Sequence, residues 1–198
     1  MFAVVSFVVS ASAWAVQRLS TRTVIAGSVA GSAVAVMASV AGIDGYPWSN
    51  VVVLMVAVAG GVGVGRWVTP RARAMFLLLA VLSALDLSQL LWAGGTRAQG
   101  PAPWETWFHL LVLAADGTPI LKIGVVDLLL VAAVAEHWRR RGAGFWLAAL
   151  TGPVGLALSS GYAWVVRPAG GMVLVPFVFV GWSMSELWWR RHRRRAVP

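Results

Sequence analysis

Seven apolar stretches, at about residues 2–17, 23–43, 50–67, 74–93, 119–137, 143–165 and 171–189, occupy most of this 198-residue chain. Crossing the hydrocarbon core of a bilayer takes about 20 helical residues, with a range of roughly 17–25, and each stretch approaches that length. Strands of a membrane barrel would alternate in polarity, and runs such as VVVLMVAVAG do not. Charged residues make up only 12% of the chain, against about a quarter in a soluble domain. The expected fold class is therefore all-α: a polytopic membrane helical bundle of about seven transmembrane helices.

The formal net charge of +9 does not point to nucleic acid, because the arginines stand in short clusters between apolar runs. That placement is a topology signal. Arg18, Arg22, Arg66, Arg71, Arg73, Arg139, Arg140, Arg141 and the tail arginines at 190, 191, 193, 194 and 195 fall on one side of a seven-span chain. Arg97, Lys122 and Arg167 fall on the other. The positive-inside rule then predicts an outside N-terminus and a cytoplasmic C-terminus. Residues 2–16 have no basic segment before them and Arg18 and Arg22 after them, so a retained span is expected rather than a cleaved leader. The expected organisation is an N-terminal three-helix transmembrane part over 1–73 and a four-helix part over 74–198, with an outer loop at 94–118 and a basic cytoplasmic tail at 190–198. The expected setting is a bacterial plasma membrane, with the lipid bilayer as the first partner. Cysteine is absent, which excludes disulfides, thiolate metal sites and cysteine nucleophiles.

Residues 104–116, WETWFHLLVLAAD, are apolar but too short to span; an interfacial or re-entrant helix over the outer mouth is expected there. Most of the twelve tryptophans fall near predicted span ends. Trp14, Trp67, Trp138, Trp188 and Trp189 are placed near inner ends and Trp48, Trp92, Trp104, Trp107 and Trp164 near outer ones, as an aromatic belt requires. Trp182 is the exception. Gly27 and Gly31 form a GxxxG on the second span, and Gly61, Gly63 and Gly65 line the third; close helix packing is expected of both sets.

Two aspartates interrupt this pattern, Asp86 in AMFLLLAVLSALDLSQLLW and Asp127 in PILKIGVVDLLLVAAVA. A carboxylate in hydrocarbon costs several kcal/mol, roughly, and usually faces a bundle interior with a function. Counting along antiparallel neighbouring spans puts both roughly 10–12 Å from the outer end. Two carboxyls in contact in a low-dielectric site share a proton, so that one is an acid and the other a base. The competing reading is structural: each Asp bonds its own neighbours, with Ser83, Ser88 and Gln89 near Asp86 and Lys122 near Asp127.

The segments around the pair carry a family resemblance. LSALDLSQLL resembles the YD-containing helix of presenilins and signal peptide peptidases, with Leu85 in the tyrosine position. LKIGVVDLLL resembles their GxGD helix, with Gly124 and Asp127 in place and Val126 for the second glycine. Arg167-Pro168-Ala169 stands where the PAL motif opens the last helix, with Gly170 for leucine. The resemblance covers roughly residues 74–189, and the expected orientation matches signal peptide peptidase. It implies a divergent intramembrane aspartyl protease, with Asp86 and Asp127 catalytic and Gly124, Val126, Pro168, Ala169 and Gly170 binding a transmembrane peptide. No cofactor and no metal is implied. Each motif departs from the family at one position, which leaves open a changed substrate or a silent site.

Two other functions fit the residues. A membrane-bound terpenoid cyclase would use an Asp acid on an apolar small-molecule substrate and stabilise cations on Trp faces. A non-catalytic scaffold or transporter would need neither. Glu136 and His137, beside Trp138 and three arginines, are expected to form a cytoplasmic salt-bridge cluster, and Glu186 an i,i+4 pair with Arg190. His109 and the scattered acids do not reproduce metal-ligand spacing, and Asp44 and Asp116 are expected in loops.

Overall fold

The structure, a computed structural model, describes residues 2–68, 71–92, 106–117, 119–166 and 175–195. Seven helices account for most of them: α1 Phe2–Ala15, α2 Thr21–Val40, α3 Ser49–Val68, α4 Ala72–Trp92, α5 Val125–Arg140, α6 Phe145–Val166 and α7 Val175–Arg195. Two of these, α2 and α3, are long and apolar enough to cross a membrane. A short antiparallel hairpin, β1 His109–Leu113 and β2 Pro119–Gly124, precedes α5.

Local chemistry sets the helix ends. The Ser20 hydroxyl accepts the Thr23 N–H at 3.1 Å and starts α2, satisfying one of the donors that a first turn leaves open. At the end of α5, Gly142 turns left-handed at φ +71°, the Gly142 N–H bonds Arg139 and the Ala143 N–H bonds Trp138. This is the glycine cap that returns orphan carbonyls to the backbone.

Packing follows small residues. The buried positions of α2 are Val24, Gly31 and Ala35, while Val29, Met37 and Val40 stay exposed. Large apolar side chains facing outward and small ones inward is the pattern of a helix in lipid, where close backbone approach drives association. The closest approach joins α3 to α5. A Cβ on Gly61 would collide with the Leu129 carbonyl, and one on Gly65 would lie 2.7 Å from the Ala133 carbonyl. Both indices rise together, so α3 and α5 run parallel. Gly31 is likewise pressed on Met55 and Val56 of α3, but Gly27 has nothing within 4 Å, so only half of the GxxxG on α2 is an interface. Gly155 of α6 meets the Val178 backbone and Gly181 of α7 meets the Thr151 carbonyl, an antiparallel contact.

The end of the bundle where α3 and α5 finish is tied by charge. Glu136, 1% exposed, accepts from Arg66 of α3 at 3.2 Å and from Arg139 and Arg140 of its own helix. Arg66 also donates to the Leu19 carbonyl at 2.9 Å and to Thr21, which locks the start of α2 to the same point. Glu186 of α7 pairs with Arg190 at 2.6 Å and with Arg141. The expected ion pairs of Glu136 with Arg139 and Arg140 and of Glu186 with Arg190 are present, Arg66 of α3 is a member that the local pattern did not include, and His137 packs against Trp138 and Trp182.

Two expectations need correction. Residues 104–116 are not a helix where the structure describes them: a short turn over 106–108 leads into strand β1. The reason is a hairpin, with Leu110 opposite Ile123 and the turn closed at Gly117, φ +80°. Asp116-Gly117 between two apolar runs is a strong short-range hairpin signal. The fifth span does not start at 119 either, because 119–124 is strand and α5 begins at Val125. Tethers hold the hairpin over the N-terminal end of α3. The Asn50 amide donates to the Leu111 carbonyl at 2.7 Å and accepts its N–H at 2.9 Å, and Trp107 donates to the Ile43 carbonyl at 2.7 Å.

Candidate functional site

Strand β2 runs directly into the helix that carries Asp127. The Val125 N–H still bonds the Phe108 carbonyl at 2.9 Å, so the ladder continues to the first residue of α5. Gly124 is the N-cap, extended at ψ 144°, and Asp127 is the third residue of the first turn. Its carboxylate accepts the Gly124 N–H, which is one half of a capping box. The glycine has steric meaning, since a Cβ there would stand 3.2 Å from Asp127 Oδ2. Asp127 is therefore at a helix N-terminus rather than part-way down a span. Val126, matched to the second motif glycine, is 54% exposed.

Asp86 belongs to the last third of α4, about 9 Å along the axis from its end. It is partly buried, and its Oδ2 accepts the N–H of Val175, the first residue of α7, at 3.1 Å. Asp86 thus caps a second helix from outside. Asp86 lies within electrostatic range of Asp127, so the flank of α4 comes near the first turn of α5 as well as the start of α7. The expected route to this meeting was wrong. α4 packs along α7 and makes no extended contact with α5, whose glycine-lined partner is α3. The two Asp helices meet across the start of α7, not as packed antiparallel neighbours.

Other predicted residues fall elsewhere. Pro168, Ala169 and Gly170, with Arg167, lie outside the described residues, between α6 and the Val175 that Asp86 caps. Lys122 is exposed on β2, and His109 opens β1. Ser88 donates to the Leu85 carbonyl at 2.7 Å, an intrahelical bond. Ser83 is buried. Among the described residues no three His, Asp or Glu side chains gather as metal ligands.

A buried aromatic group occupies the opposite, arginine-rich end. Trp138 is fully buried and Trp182 is 3% exposed, with ring centroids 6.5 Å apart, and His137 packs edge-on to both. Trp138 is a core residue, not a belt residue; its indole completes the packing of α5 on α7 beside Trp189. Trp48 and Trp67 remain 78% and 88% exposed at helix ends.

No family model matches this chain, and no curated protein or solved structure matches it.

Proposed function

We propose that this chain is a divergent presenilin-like intramembrane aspartyl protease that crosses a bacterial plasma membrane seven times, N-terminus outside. The observation that carries the reading is that Asp86 and Asp127 lie within electrostatic range of each other, Asp127 in the first turn of α5 and Asp86 bonded to the first N–H of α7. The membrane arrangement is supported by the parallel run of α3 and α5, the antiparallel run of α6 and α7, and the gathering of Arg66, Arg139, Arg140, Arg141 and Arg190 at one end. That end faces the cytoplasm.

The chemistry needs one proton between two carboxyls. The ionised member takes a proton from water, whose hydroxyl oxygen adds to the peptide carbonyl carbon while the protonated member gives its proton to the carbonyl oxygen. Collapse of the tetrahedral intermediate breaks the C–N bond as the leaving nitrogen is protonated. The pair titrates jointly, so neither role is assigned to one residue. Strand β2 supports a peptide substrate specifically. It ends three residues before Asp127, and among the described residues no strand other than β1 pairs with it. A substrate segment added along β2 would be extended and led toward the carboxyls.

A second reading, a non-catalytic scaffold, is favoured by one specific observation: each carboxylate already caps a helix. The cyclase reading has less support, because the buried tryptophan group lies at the other end of α5. Asparagine separates the first two. Its carbonyl still accepts the capping N–H, and Asn and Asp are comparable caps, but it cannot exchange a proton. Cleavage of a transmembrane peptide by the reconstituted full chain is expected to fall at least about 100-fold in Asp86→Asn and in Asp127→Asn, in keeping with the scale of acid–base catalysis. Cleavage that survives both substitutions rules out the pair as the catalyst.

A further inference from the structure

We infer that the cytoplasmic half of α7 holds an anionic phospholipid, its phosphate on Arg191 and His192 and an acyl chain along Met184 and Leu187. A shallow groove runs down one face of α7, lined by Met184, Leu187, Trp188, Arg191 and His192. The spacing i, i+3, i+4, i+7, i+8 puts all five on one face. The face changes character along its length. Met184 and Leu187 are 65% and 60% exposed, Trp188 follows at half exposure, and only then come the two basic residues. Apolar, then aromatic, then cationic is the depth profile of a lipid from chain through glycerol level to phosphate.

The head of the groove is built. The His192 ring stacks on Trp188 with centroids 4.0 Å apart, and Nδ1 lies 2.9 Å from the Trp188 carbonyl. A carbonyl only accepts, so Nδ1 donates in that bond; a phosphate oxygen also only accepts, so Nε2 reaches it as the second N–H of an imidazolium ring. Among the described residues Arg191 enters no ion pair, while Glu186, the only acid of α7, is engaged by Arg141 and Arg190. The basic run from Arg190 to Arg195 keeps the local field positive. A negative headgroup in the cytoplasmic leaflet is the occupant that this charge selects. The inference rests on the membrane orientation proposed above and is independent of the aspartates.

Native mass spectrometry of the full chain, offered phosphatidylglycerol and phosphatidylcholine of the same acyl composition, tests it. Selective retention of phosphatidylglycerol is expected, reduced about fivefold or more in the Arg191→Gln/His192→Gln double variant. Arg22→Gln, which removes an exposed charge predicted on the same side, is expected to leave retention unchanged, with helix content by circular dichroism confirming that both variants fold. Equal retention of the two lipids, an unaffected double variant, or an equal loss in Arg22→Gln overturns the site. Displacement of the lipid by millimolar inorganic phosphate shows a free-phosphate site and overturns the lipid assignment. No cleavage is measured, so none of these outcomes bears on the protease reading.

Discussion

A carboxylate survives in an apolar bundle by finding N–H donors, and Asp86 and Asp127 each find one at the start of a helix. Capping predicts a difference between two replacements of the same residue. Asp86→Ala removes the acceptor from the Val175 N–H and is expected to lower stability by about 1 kcal/mol. Asp86→Asn keeps an acceptor and should leave the thermal midpoint in detergent close to that of the parent. At the other end, Glu136 is the residue whose loss matters most for folding. Glu136→Ala leaves Arg66 buried without its carboxylate and is expected to cost about 3–5 kcal/mol. The double variant Arg66→Met/Glu136→Leu should recover most of that, since an apolar pair of similar volume replaces two desolvated charges. Thermal unfolding of the two single variants and the double variant gives the coupling. The contacts of Glu136 with Arg139 and Arg140 are legible in sequence as i,i+3 and i,i+4 spacings. Its bond to Arg66, seventy positions away, is not.

At the scale of elements, the helices followed from hydropathy, whereas the hairpin did not. Apolar length and the absence of alternation located α1 to α7, with ends shifted by a few residues where a cap such as Ser20 or Gly142 decided them. Residues 109–113 and 119–124 are short, largely apolar runs on either side of Asp116-Gly117; that pair is a local hairpin cue, but periodicity alone cannot separate a short buried strand from a helical segment. What decided it was tertiary: Asn50 closes the outer edge of β1 through the Leu111 backbone. Asn50→Ala is expected to speed amide exchange across 109–124 while leaving α3 protected. Uniform exchange in variant and parent would show that the hairpin does not depend on this tether. Helix α3 makes the opposite kind of prediction. Gly61→Val places a side chain against the Leu129 carbonyl and the Ala132 methyl, and overpacking of this kind costs about 1–3 kcal/mol. Gly63→Val, whose added Cβ would have only Ile25 within 4 Å, should be tolerated. Detergent melting curves compare the two.

At the scale of the whole molecule, topology is the property that every functional reading shares. The chain has no cysteine, so a single introduced thiol reports without background. Asp116→Cys in the hairpin turn is expected to react with a membrane-impermeant maleimide in intact cells, and Gly144→Cys, in the loop between α5 and α6, only after lysis. Labelling of both from outside would overturn the seven-span orientation.

Sequence by itself determined that the molecule is mostly helical, because hydrophobic length and the lack of alternation are local quantities that no partner residue changes. It also singled out Asp86 and Asp127, since a carboxylate in an apolar run is conspicuous whatever surrounds it. Tertiary structure alone decided how they meet. Glycines on α3 pack α5 against α3, α7 takes α4 instead, and Asp86 bonds the first N–H of α7 while Asp127 bonds that of Gly124. A counting argument along the chain yields depth, but adjacency depends on which small residues let two backbones come close, and that is a property of pairs.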